Sequence, residues 1–185
     1  CSSDLERMSD SAWDMITVLR QFHHQPCSQI ENQLQRIGSL NPYFRAIGKM
    51  EQDHIACSSV YGSRPGLLKD MIMRDAPVTG KAWWSLSIAG TTGVPDRPAV
   101  IFMRDLPDGE GFWAVIDGQY LIDFMRAISS SHLYHFSMTF SGGAPISFGD
   151  PHIAASSWFE PMIYQALSHR YPLSVTLIAS PSELI

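Results

Sequence analysis

The run "YFRAIGKMEQDHIACSSVYG", Tyr43 to Gly62, decides the fold class. It contains two strand-like stretches, "YFRAIGKM" and "HIACSSVYG", rich in β-branched and aromatic residues and split by the polar "EQD", which is the pattern of a β-hairpin. Upstream the period changes. From Leu5 the apolar residues Leu5, Met8, Ala12, Met15 or Ile16, Leu19 and Phe22 recur at three and four, the stripe of an amphipathic helix that should run to about His24. Pro26 interrupts it. "CSQIENQLQRIGSL" then repeats the pattern with Cys27, Ile30, Leu34 and Ile37 on one face, and Gly38 and Pro42 stop it. Cys27 therefore sits in the first turn of a second helix, and Cys57 inside the second strand of the hairpin.

Downstream of Gly62 the chain reads as strands punctuated by Gly and Pro: "AWWSLSIAG", "PAVIFMRD", "GFWAVID" and "HLYHFSMTF". "PDGEG" is a hairpin turn between the second and third. "GQYLIDFMRAIS" is expected to be a short helix, "SSWFEPMIYQALSHRY" another despite Pro161, and "PLSVTLIAS" a last buried strand. Helices first and then a mainly antiparallel sheet give an α+β fold. There are no repeats and no low-complexity segment.

With 185 residues and 45% hydrophobic content the chain is long enough for one sizeable core, and one domain over residues 1–185 is the expectation. Net charge is -5, and the thirteen Lys and Arg are scattered singly, so no basic stripe exists to neutralise a phosphate backbone and nucleic acid is not expected as a partner. The longest apolar-leaning stretch, Ala82 to Val94, is shorter than a bilayer span and broken by Gly, Ser and Thr. The start carries neither an initiator Met nor a signal-like apolar region. These features suit a soluble segment of a longer protein standing between two membrane helices.

Three cysteines pose the chemical question. As a nucleophile Cys57 needs a base, and His54, three residues before it, should face the opposite side of a strand unless a bulge intervenes. A buried inert thiol is the bland reading, since free Cys is among the most buried residue types. Metal ligation has the least support: Cys27 and Cys57 lack paired ligands, and His23 and His24 occupy adjacent, diverging helix positions. No metal or cofactor is expected. A disulfide is geometrically open to Cys27 and Cys57, because a core-facing helix start and a following hairpin strand approach when helix and strand pack. It would contribute about 3–4 kcal/mol in the chain-entropy model and persist only in an oxidising compartment.

"NPYFRAIGKMEQDHIACSSVYG", Asn41 to Gly62, resembles the signature of the CSS-motif domain, an extracytoplasmic sensor of bacterial membrane proteins whose cytoplasmic part is an EAL-type cyclic-di-GMP phosphodiesterase. The resemblance maps the family's first cysteine onto Cys27, its "PY-R" turn onto Pro42, Tyr43 and Arg45, and its Cys-Ser-Ser onto Cys57, Ser58 and Ser59. It implies a periplasmic domain of an inner-membrane protein in which the Cys27 and Cys57 pair, as disulfide or dithiol, sets the output of the phosphodiesterase. It also implies periplasmic thiol–disulfide oxidoreductases as partners and a homodimer formed through flanking membrane helices, the membrane being reached only by segments outside this chain. No EAL motif is present, so the fragment is the input and not the enzyme. The competing reading is a small-molecule-binding extracytoplasmic sensor with a purely structural disulfide, and a third is an envelope enzyme using Cys57.

Other residues have simpler readings. Cys1 also opens a Cys-Ser-Ser, which suits a lipid anchor, but the helical stripe begins almost at once and leaves no tether, so an incidental cysteine near a membrane helix is preferred. Trp83 and Trp84 could line a small-molecule pocket, but adjacent strand aromatics are expected to pack one into the core and one against a covering helix. His132 and His135 are expected to be core or solvated, "GTTGVPDRP" a turn, "FSGGAPISFGDP" a hairpin connection, and Asp70, Arg74 and Asp75 a solvated face.

Overall fold

The computed structural model describes residues 2–62, 65–127, 134–153 and 160–179. Helix α1 (Ser2–Leu19) runs into a 3-10 turn (Arg20–Phe22), and α2 (Cys27–Leu40) follows after Pro26. The expected hairpin is β1 (Phe44–Glu51) with β2 (His54–Ser58). Then come β3 (Gly66–Leu67), a single-turn α3 (Leu68–Met71), β4 (Trp83–Ile88), β5 (Ala99–Asp105), β6 (Glu110–Asp117) and α4 (Gly118–Ala127). The chain closes with β7 (Tyr134–Phe140), β8 (Ile146–Gly149), β9 (Met162–Leu167) and β10 (Leu173–Ala179).

The strands divide between two antiparallel sheets, ordered β3-β2-β1-β6-β5-β4 and β8-β7-β10-β9. Both faces of the larger sheet are buried, which is why β5 and β6 read as unbroken apolar runs rather than alternating ones. Val100, Phe102, Phe112, Ala114 and Ile116 face a core that also holds Leu5, Ala12, Ile16 and Leu19 of α1, Ile30 and Leu34 of α2, and Phe136, Met138, Phe140 and Val175 of the smaller sheet. The intervening residues Ile101, Met103, Trp113 and Val115 point the other way, onto Leu68, Met71 and Ile72. The two sheets meet where the Phe140 amide donates to Ser87 Oγ (3.0 Å) and the Ala144 amide to the Ser87 carbonyl (2.9 Å).

Helices at the N-terminus followed by antiparallel strands make the α+β class of the sequence reading, with two sheets in place of one. One element is corrected outright. Residues 162–167, read as part of a helix, form strand β9, paired antiparallel with β10 from Met162 opposite Ala179 to Leu167 opposite Ser174. Pro161 is unsuited to a helix interior, and the open edge of β10 offers 162–167 a full ladder of partners. Residues 156–159 of that segment, 128–129 of the α4 segment, Cys1 and His132 lie outside the described residues.

Candidate functional site

Cys27 and Cys57 are joined by a disulfide with α-carbons 5.8 Å apart. A β-bulge aims Cys57. Lys49 pairs with Cys57 and Met50 with Ile55, so Ala56 is an extra residue in β2. The insertion breaks the period of two, sending Ile55 into one core and Cys57 into the other, towards α2. Gly48, also on β1, packs so closely that a Cβ there would overlap the Cys57 carbonyl and the Trp113 indole. Cys57 is 0% exposed, whereas Cys27 is half-buried at the helix start. His54 is exposed and lies 2.7 Å from Asp53 through Nδ1, so the bulge does not create a Cys57–His54 dyad.

The two serines after Cys57 hold the clasp in place. Buried Ser58 accepts at Oγ from the Tyr61 amide (2.7 Å) and the Val60 amide (3.3 Å), turning the chain at the end of β2. Ser59 accepts from the Ile47 amide at Oγ (3.0 Å) and donates its own amide to the Ile47 carbonyl (2.8 Å). It sits directly over Gly38 of α2, where an added Cβ would stand 3.0 Å from the Ser59 Cβ. Cysteine and serines together bind strand, turn and helix into one corner.

Pro42, Tyr43 and Arg45 lie at the opposite end of β1. Pro42 is in the turn closed by the Phe44 amide donating to the Asn41 carbonyl (3.1 Å). Tyr43 stacks on Tyr120 of α4, centroids 5.3 Å apart, and burial raises its phenol above the ordinary value, with Tyr120 adding to the effect. The Arg45 side chain is largely buried and well paired: Nε donates to Asp117 Oδ2 (3.0 Å) and the terminal nitrogens to Thr91 Oγ1 and the Arg97 and Pro98 carbonyls. Asp117 also accepts from Arg97 and, at the start of α4, from the Gln119 amide (2.8 Å). Burial pushes the Asp117 carboxyl up, but the hydrogen bonds from Arg97, Arg45 and the Gln119 amide outweigh it and hold the group below the ordinary carboxylate value. The motif residues thus fall into a disulfide corner and an arginine hub joining β1, the loop at 90–98 and α4.

Two features depart from the readings preferred from the sequence. His23 and His24 are not helical: helical geometry ends at Phe22, and His24 takes φ +67°. The two rings stack, with centroids 3.7 Å apart, against Asp108 of the β5–β6 turn and Glu110 at the start of β6. Adjacent histidines gave no helix-face signal because the helix had already ended. The second feature is a groove of about 340 Å³ beside α1, lined by Trp13, Arg20, Trp83, Arg104 and Tyr171. Trp84 is buried while Trp83 meets Trp13 of α1 edge-on, centroids 5.7 Å apart.

The fold resembles that of the extracellular domain of a protein described as a histidine kinase, rpHK1S-Z16, with a TM-score of 0.59 and 16% identity over 99% of this chain and 90% of that one. The sequence profile described as "CSS motif domain associated with EAL" matches residues 3–185. The chain belongs to the CSS-motif family. No curated protein matches it.

Proposed function

We propose that the chain, over residues 1–185, is the periplasmic input domain of a longer bacterial inner-membrane protein, and that the Cys27–Cys57 pair regulates a cytoplasmic EAL-type cyclic-di-GMP phosphodiesterase of the same protein. The chain performs no catalysis in this reading, and membrane helices outside it pair two copies. Its association with EAL at family level supports the output. Among the described residues no helix is long and apolar enough to cross a membrane, which suits a domain standing clear of the bilayer.

The observation that carries the reading is the unequal burial of the two cysteines, Cys57 sealed and Cys27 half-buried at the start of α2. Exchange therefore runs through Cys27: a thiolate of a periplasmic oxidoreductase attacks Cys27 Sγ, the Cys57 thiolate leaves and takes a proton, and a second thiol of the oxidoreductase resolves the mixed disulfide. That enzyme supplies both electrons. Burial disfavours the departing Cys57 thiolate, so the bond resists small thiols and yields to a docked partner. The test is phosphodiesterase output of the full-length protein. Cys57→Ala should reproduce the output of the reduced protein, higher than that of the oxidised one, and should no longer respond to reductant. Output identical to the oxidised wild type would reduce the bond to a structural clasp.

A specific observation favours a second reading, a small-molecule sensor. Trp13 Nε1 and Arg104 Nε, both on residues lining the groove beside α1, are buried without a hydrogen-bond partner among the described residues. Aromatic walls with guanidinium groups suit a small organic anion. Under this reading Arg104→Ala abolishes a response that Cys57→Ala leaves intact.

A further inference from the structure

We propose that His23, His24, Asp108 and Glu110 form a site for one divalent transition-metal ion of the zinc class, bridging the corner between α1 and α2 to the β5–β6 turn. His23 Nε2 lies 2.8 Å from Asp108 Oδ2 and 3.4 Å from Glu110 Oε2, and His24 Nδ1 lies 3.6 Å from Asp108 Oδ2. One donor atom from each of the four residues falls within 4.8 Å of all the others. Four ligands around a zinc ion at its usual bond lengths stand about 3.3 Å apart, so the set closes on an ion by small side-chain rotations. Two imidazoles with two carboxylates select zinc and its transition-metal neighbours over calcium or magnesium, which prefer all-oxygen shells.

The surroundings hold these donors in place. Asp108 Oδ1 accepts the Glu110 amide (3.0 Å), and Glu110 Oε2 accepts the His24 amide (3.0 Å). The other Glu110 oxygen, Oε1, is 3.1 Å from the ammonium of Lys49, which is 1% exposed and donates to the Gln25 carbonyl (2.7 Å). A carboxylate anchored by one oxygen and presenting the other is the usual support behind a metal ligand. Charge agrees with the assignment. Two carboxylates face one ammonium at this corner, leaving a surplus of negative charge to meet a cation. His24 reaches its place only through a positive φ, a conformation costly for a residue with a side chain.

The site shares a corner with the redox pair. Lys49 lies opposite Cys57 across the hairpin, and Cys27 follows Pro26 just beyond the Gln25 carbonyl that Lys49 binds. An ion here would fix the junction between α1 and the clasp whatever the state of the sulfurs. The test is titration of the chain with Zn²⁺ against a chromophoric chelator, with Co²⁺ as spectroscopic probe. One ion per chain is expected, with a visible tetrahedral Co²⁺ band and a rise in melting temperature on Zn²⁺ addition. His24→Ala and Asp108→Asn change exposed side chains, so folding, checked by circular dichroism, should survive while affinity falls at least tenfold. His54→Ala, at an exposed pair elsewhere, should bind as the wild type does. Wild-type affinity in folded His24→Ala and Asp108→Asn, or no binding tighter than millimolar in the wild type, overturns the proposal.

Discussion

Arg45 shows why one residue type is required at the start of β1. Its hydrogen bonds go to a carboxylate, a hydroxyl and two backbone carbonyls lying in different directions. A guanidinium supplies five donors in a rigid fork, whereas an ammonium is a point charge that cannot reach all of these partners together. Arg45→Ala should destabilise the fold by about 3 kcal/mol, because it strips a partner from a largely buried carboxylate. Arg45→Lys should recover only a minor part, as read from denaturant midpoints. The pair also predicts a pH dependence. Asp117 is held below its ordinary value of 3.8. Its contribution is therefore complete above that value and is lost as the pH falls through the lower folded value. Melting temperatures should drop below about pH 4 in the wild type, and the drop should be shallower in Asp117→Asn. A parallel fall in both proteins would remove Asp117 from the account. The sequence marked Arg45 through the turn motif, but its partner lies 72 residues away and nothing local points from one to the other.

At the scale of elements the clasp depends on a strand irregularity. In a regular strand, with no bulge at Ala56, Cys57 would share a face with Ile55 and point away from α2. The two helices, the hairpin and most strands were legible because each has its own hydrophobic period. The bulge was not, since its cause is the pairing of β2 with β1 and not any feature of "HIACSS" alone. The same limit hid β9, whose strand character comes from the edge of β10, and the histidine cluster, which depends on where α1 stops. The disulfide spans a sequence separation of 30, and in the chain-entropy model its loss costs about 3–4 kcal/mol. Cys27→Ala with Cys57→Ala should lower stability by that amount and open the hairpin to limited proteolysis, with new cleavage between residues 43 and 62. Alanine is the appropriate replacement, because a serine hydroxyl at the sealed position 57 would be buried without an assured partner. An unchanged melting midpoint would mean that packing of α2 on the hairpin suffices without the bond.

In the whole molecule α1 touches both sheets. Its apolar stripe lies on β5 and β6, and its polar side reaches the smaller sheet's connections, where Ser168 Oγ donates to Glu6 (2.8 Å) and Arg170 and Tyr171 hold Asp10. At its C-terminal end it leads through His23 to Gln25 into the clasp. A change at the disulfide can therefore reach α1 directly, and α1 is the element that would continue towards the membrane in the proposed arrangement. Releasing the bond shifts a two-state element only by as much as the bond favours one state, and a differential of about 1–3 kcal/mol is enough for a roughly 5- to 150-fold change in populations. Both cysteines contribute to one covalent bond, so their removal cannot be additive if that bond is the switch. In the full-length protein Cys27→Ala and Cys57→Ala should each move phosphodiesterase output in the same direction, towards higher activity, and the double variant should do no more than either single one. Opposite signs for the two single variants, or a double variant equal to the sum of independent effects, would show the cysteines acting separately and leave the bond with a structural role alone.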